Sequence, residues 1–134
     1  MRIDGGCHCG FIKYEGDADP AKAAICHCTD CQTLSGSAFR TIVPVSSDTF
    51  RMVAGEPTIY VKIGDSGGKR QQGFCPKCGS PIFSTSMDTG PKDLMIRVGT
   101  IHQRDQFVPK LQLWTRSKQH WVDDFTSARE LEKQ

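Results

Sequence analysis

The chain has 134 residues, 37% of them hydrophobic, and a formal charge of 17 − 15 = +2. That length suits one domain with a modest core, so residues 1–134 are read as a single domain. The small charge excludes the basic excess of a nucleic-acid surface, and no apolar stretch approaches the roughly 20 residues of a membrane helix.

Met1 to Gly6 has no apolar run and does not read as a secretory signal, so a cytoplasmic location is expected. Phe11, Ile12 and Tyr14 read as a short strand after a Gly-Gly and Cys-rich turn. Asp17 to Pro20 is a turn, and Ala21 to Ile25 is an extended segment leading into Cys26-His27-Cys28-Thr29-Asp30-Cys31. Thr29 or Asp30 can cap a short helix through about Leu34, ending at Gly36. Strands are expected over 38–45, 49–53 and 58–63, the last with the clearest alternation. The glycine-rich stretch from Gly64 to Gly68 matches no phosphate-binding or dinucleotide spacing and reads as a hairpin connection. Further strands are expected over 81–84, 94–101 and 110–114, and Phe125 to Lys133 has helix-like composition. Many short strands between Gly and Pro turns predict a mainly β fold of short antiparallel strands with little helix. Phe11, Phe39, Phe50, Phe83, Trp114 and Trp121 are assigned to core or near-core packing.

All seven cysteines fall in three clusters: Cys7 with Cys9, the triplet Cys26, Cys28 and Cys31, and Cys75 with Cys78. An odd count cannot pair fully as disulfides, and clustered thiols in a reducing compartment point to metal. Zinc takes tetrahedral sets of thiolates and imidazoles, and a tight turn can supply two ligands. Cys7-His8-Cys9-Gly10 and Cys75-Pro76-Lys77-Cys78-Gly79 share a trailing glycine that permits such a turn. Joined, they make a closed, structural four-thiolate site. The remaining Cys26, Cys28 and Cys31 leave one tetrahedral position free, as catalytic zinc sites do. Two other arrangements stay open: closure of the triplet by His102 or His120, and a ribbon of Cys28, Cys31, Cys75 and Cys78. A redox role for the Cys28–Cys31 pair lacks its usual strand–helix–strand setting. His8 and His27, each flanked by candidate ligands, are expected to face outward or to hydrogen-bond nearby.

These clusters resemble the glutathione-dependent formaldehyde-activating enzymes, a family that includes centromere protein V. The matching pieces are Gly5-Gly6-Cys7-His8-Cys9-Gly10 with Tyr14, the triplet followed by Ser35-Gly36-Ser37-Ala38-Phe39, and Phe74-Cys75-Pro76-Lys77-Cys78-Gly79-Ser80. Val98-Gly99-Thr100, Pro109, Trp114 and Trp121-Val122 also fit. The resemblance implies a β-tent fold, a structural zinc on Cys7, Cys9, Cys75 and Cys78, and a catalytic zinc on Cys26, Cys28 and Cys31. It implies a carbon–sulfur lyase reaction joining glutathione and formaldehyde as S-hydroxymethylglutathione. The alternative is a non-catalytic zinc module that binds a protein or a small thiol. A thiol with two carboxylates calls for cations in its groove, and Arg40, Arg70, Arg97 and Arg116 are candidates, although each is more commonly a solvated surface charge. Two positions depart from the family pattern: Ile101-His102 where Leu-Asp is usual, and Gln112 where a histidine often stands.

Overall fold

The computed structural model describes all residues, Met1–Gln134. Ten short strands make two sheets. The smaller sheet orders β1 (Arg2–Gly6), β2 (Lys13–Asp17) and β5 (Arg51–Ala54) side by side, all antiparallel. The larger sheet contains β3 (Ala24–Cys26), β4 (Arg40–Ser46), β6 (Thr58–Ile63), β7 (Lys69–Phe74), β8 (Pro81–Ser86), β9 (Asp93–Arg97) and β10 (Leu111–Leu113). Its spatial order is β10-β3-β4-β9-β8-β7-β6, antiparallel throughout except where β10 lies parallel to β3.

Period-two alternation explains how the sheets meet. In β1 and β2 the buried positions are Ile3, Gly5, Tyr14 and Gly16, while their neighbours face out or lie at the margin. Val43 and Val45 of β4, Ile82 and Phe83 of β8, and Leu94 and Ile96 of β9 supply the opposing side of the core. Such strands bury one face and solvate the other, as antiparallel sheets allow. Pro44 sits inside β4, yet its missing N–H is tolerated. It lies beyond the last β3 pairing, Ala24 with Ile42, where β9 is the remaining neighbour.

One α-helix, α1 (Thr29–Ser35), follows β3. Its N-cap is Cys28, whose sulfur accepts the Cys31 N–H at 3.2 Å. The expected cap at Thr29 or Asp30 is therefore one or two positions late, because a thiol takes the acceptor role usual for a hydroxyl or carboxylate. The 64–68 stretch is the β6–β7 hairpin connection, as read. The segment from Phe125 to Lys133 is not helical but turns and bends. It is solvent-exposed along its length, so helix-favouring composition has no tertiary surface to stabilise it. Trp114 and Trp121 are not core residues either, at 57% and 46% exposed. No helix is long and apolar enough to cross a membrane.

Candidate metal centres

The structure divides the cysteines into two groups, Cys7/Cys9/Cys75/Cys78 and Cys26/Cys28/Cys31, with the sulfurs of each group within 4.8 Å of one another. The ribbon partition does not occur, because Cys28 and Cys31 stay with Cys26.

The four-thiol centre is made by two turns. Cys7 and Cys9 lie in the β1–β2 connection, and Cys75 and Cys78 in the β7–β8 connection. Gly10 and Gly79 close these turns at φ 84° and 77°, a left-handed backbone that side chains rarely adopt. The Cys7 and Cys9 sulfurs are 3.6 Å apart, and those of Cys9 and Cys75 are 3.8 Å apart. A tetrahedron with zinc–sulfur bonds of about 2.3 Å has edges of about 3.8 Å, whereas a disulfide would bring the sulfurs to about 2 Å. The donor set fits zinc.

Backbone and hydroxyl donors surround these sulfurs, the usual device for orienting metal thiolates. The Ile12 N–H donates to Cys7 at 3.1 Å and the Lys77 N–H to Cys75 at 3.4 Å. Ser80 Oγ is 3.2 Å from the Cys78 sulfur and accepts the His8 N–H at 3.1 Å, tying the two turns together. The Ser80 hydroxyl, and then its N–H, lower the Cys78 thiol to about 5. Lys77 adds a cation–π contact across the turns, 4.3 Å above the Phe11 ring.

The triplet is built differently. Cys26 ends β3, Cys28 caps α1, and Cys31 sits in the first helical turn. The thiols compete for protons: contact with Cys31 holds Cys26 below the ordinary thiol range, and the same contact, with burial, pushes Cys31 up. Three thiolates this close repel, so full ionisation requires a cation among them. Soft sulfur donors fit zinc here too. Neither proposed histidine closes the set. His102 Nδ1 is 2.9 Å from Asp4 Oδ2 on the smaller sheet, and His120 is exposed.

The open side of the triplet faces a cavity of about 200 Å³. Arg40, Lys62, Arg70 and Arg97 line it, together with Gln72 and Trp114, and no carboxylate does. Arg40 and Arg97 are not solvated surface charges: they are 8% and 5% exposed. Both donate to Gln72 Oε1, at 3.1 and 3.0 Å, and Arg97 also donates to Ser84 Oγ at 3.3 Å and the Met95 carbonyl at 3.0 Å. Burial, and then the nearby Arg40 charge, lower Arg97 to about 9, so it is a cation at neutral pH. Arg116 lies in the Thr115–Ser117 turn outside this lining.

As expected, His8 is exposed and His27 hydrogen-bonds nearby: it is fully buried, with Nε2 2.9 Å from Gln112 Oε1 and its ring edge-on to Phe39. The departure at Gln112 therefore falls behind the triplet. Gln72 and Lys62 were not legible as site residues. Their strands carry no motif, and only the cross-strand register, which sets Gln72 opposite Ser84 and Lys62 opposite Arg70, brings them to the cavity.

The protein is mainly β, with one group of four cysteines and one of three that could each hold a metal ion. Residues 2–117 match the glutathione-dependent formaldehyde-activating enzymes, and the chain belongs to that family. The crystal structure of a Rhodobacter sphaeroides protein superposes with a TM-score of 0.62 at 19% identity, covering 81% of this chain and 98% of that one. No curated protein matches the sequence.

Proposed function

We propose that the chain is a zinc-dependent carbon–sulfur lyase-type enzyme that forms or cleaves the adduct between a small thiol, glutathione in the family's description, and formaldehyde or another small aldehyde. Cys7, Cys9, Cys75 and Cys78 would hold a structural zinc, and Cys26, Cys28 and Cys31 a catalytic one. The observation that carries this reading is the donor count. Three sulfurs converge with no fourth side chain, and their open side meets a cavity lined by cations.

Zinc held by three thiolates would supply a Lewis-acidic open position that lowers the pKa of an incoming thiol. The protein's residues would do the rest. Cys28, fixed as the helix cap, and Cys26, fixed by the β3–β4 ladder, hold the donor triangle rigid. Arg70 would place positive charge beside the triplet, where the aldehyde oxygen would gain negative charge as the carbon–sulfur bond forms and the C=O π bond breaks. The oxygen then takes a proton from solvent. Trp114 and Leu113 wall the cavity beside the triplet and limit water there.

The test is zinc stoichiometry followed by glutathione titration of a cobalt-exchanged sample, with formaldehyde consumption measured in parallel. Two metals per chain, a spectral change on adding thiol, and turnover are expected. If Cys26→Ser leaves zinc content and thiol binding unchanged, the open-centre reading is wrong.

A further inference from the structure

Arg40 and Arg97 pose an unresolved charge balance. Ion pairs join Arg2 and Arg51 to Glu15, Lys62 to Asp30, His102 to Asp4 and Lys118 to Asp123, but no carboxylate meets either buried arginine. Their partners are all neutral: Gln72, Ser84 and the Met95 carbonyl. The Nε of each is buried without any partner. Buried charges ordinarily persist only when paired.

The cysteine triplet cannot supply the whole counter-charge. Three thiolates with one zinc carry 2 − 3 = −1, while Arg40 and Arg97 carry +2 before Arg70 is counted. At least one positive charge is left over in a cavity without an acid. A second cavity of about 260 Å³ shares Arg40, Gln72 and Arg97, and continues past Tyr60 and Phe74. The two guanidiniums therefore stand between the thiol centre and a mostly neutral chamber.

We propose that Arg40 and Arg97, held apart and aimed by Gln72, are an anion subsite, so that the site selects thiols bearing a carboxylate a few bonds from the sulfur. This rests on the reading of the triplet as a thiol-binding centre and adds a specificity determinant to it. Guanidinium forks match carboxylates in geometry, and Arg40 commits only one terminal nitrogen, to Gln72, which leaves donor capacity at the fork. Gln72 contributes its oxygen to both arginines and serves as the positioning residue.

Calorimetric titration of the zinc-loaded protein with 3-mercaptopropionate, its methyl ester and propionate tests this. The free acid should bind roughly 10- to 100-fold tighter than the ester, the range of hydrogen bonds to a charged group. In Arg97→Gln that preference should fall to within about threefold while the ester's affinity is retained. Equal affinity of acid and ester for the wild-type protein overturns the subsite and leaves the thiol centre standing. Propionate binding as tightly as mercaptopropionate overturns the thiol centre and leaves the subsite standing. A preference that survives in both Arg97→Gln and Arg40→Gln also overturns the subsite. The acid–ester comparison needs no variant, so it decides the matter even where a variant misfolds.

Discussion

The two cysteine groups differ in what surrounds them more than in their sulfurs. The four-thiol set is wrapped in N–H and hydroxyl donors from its own turns, and its ligands come from two distant segments, one near the N-terminus at Cys7 and Cys9 and one past the middle of the chain at Cys75 and Cys78. The triplet draws all its sulfurs from six consecutive residues and faces a cavity of cations. A cross-link between distant segments constrains the unfolded chain and so stabilises the fold. A local triplet closes almost no loop and has little to offer stability. On the proposed reading, one centre serves the fold and the other a ligand.

The largest expected effect tests this division directly. Cys75→Ser should cost more than about 4 kcal/mol and abolish a cooperative unfolding transition, the scale expected for losing a structural metal. Cys26→Ser should melt within a few degrees of wild type, about 1 kcal/mol or less. Circular dichroism melts of the two variants settle it, and equal losses would erase the distinction. Chelator competition should show the same asymmetry in metal release. The triplet, with an exchangeable position, should give up zinc first, and Cys26→Ser should retain one zinc per chain.

A smaller effect separates the core between the sheets from the cation-lined cavity beside the triplet. Tyr14 lies between the sheets, 2.7 Å from Thr100 Oγ1, and burial pushes its hydroxyl up to about 12 from an ordinary 10. The folded-state value is the higher one, so the stabilisation is complete below pH 10 and is lost as pH rises from 10 through 12. Two units correspond to about 2.7 kcal/mol. Urea midpoints between pH 8 and 11 should fall more steeply for wild type than for Tyr14→Phe, and parallel curves would show that Tyr14 is not held neutral by the core.

How much of this was legible in the sequence follows the same split. The cysteine partition could be read because paired spacing and trailing glycines are local signals, and Gly10 and Gly79 adopt the backbone those signals imply. The short strands were legible from alternation, although β1 was hidden by its two glycines. The cation cradle was legible only in part: Arg40, Arg70 and Arg97 stood among the candidate groove cations, but Lys62 and Gln72 did not. Arg40, Gln72 and Arg97 lie on three strands, and nothing local tells a buried arginine from a solvated one. Phe125 to Lys133 failed for the opposite reason: its propensity was real, but no surface receives it.

The smallest effect distinguishes cations within the cavity itself. Lys62 lines the same space as Arg97, yet its Nζ is 2.8 Å from Asp30 Oδ2, on the helix between Cys28 and Cys31. Asp30 is more than half exposed, so this pair should contribute less than about 1 kcal/mol to stability. Its charge is already balanced, whereas that of Arg97 is not. Lys62→Met should therefore shift the melting temperature only slightly and weaken 3-mercaptopropionate less than about threefold, against the larger loss for Arg97→Gln. Lysine and arginine both bring one charge to the cavity, so simple electrostatic attraction predicts similar losses for the two variants. A marked difference in calorimetric affinity at matched ionic strength would mean that the unpaired, buried cation is the one that recognises the ligand.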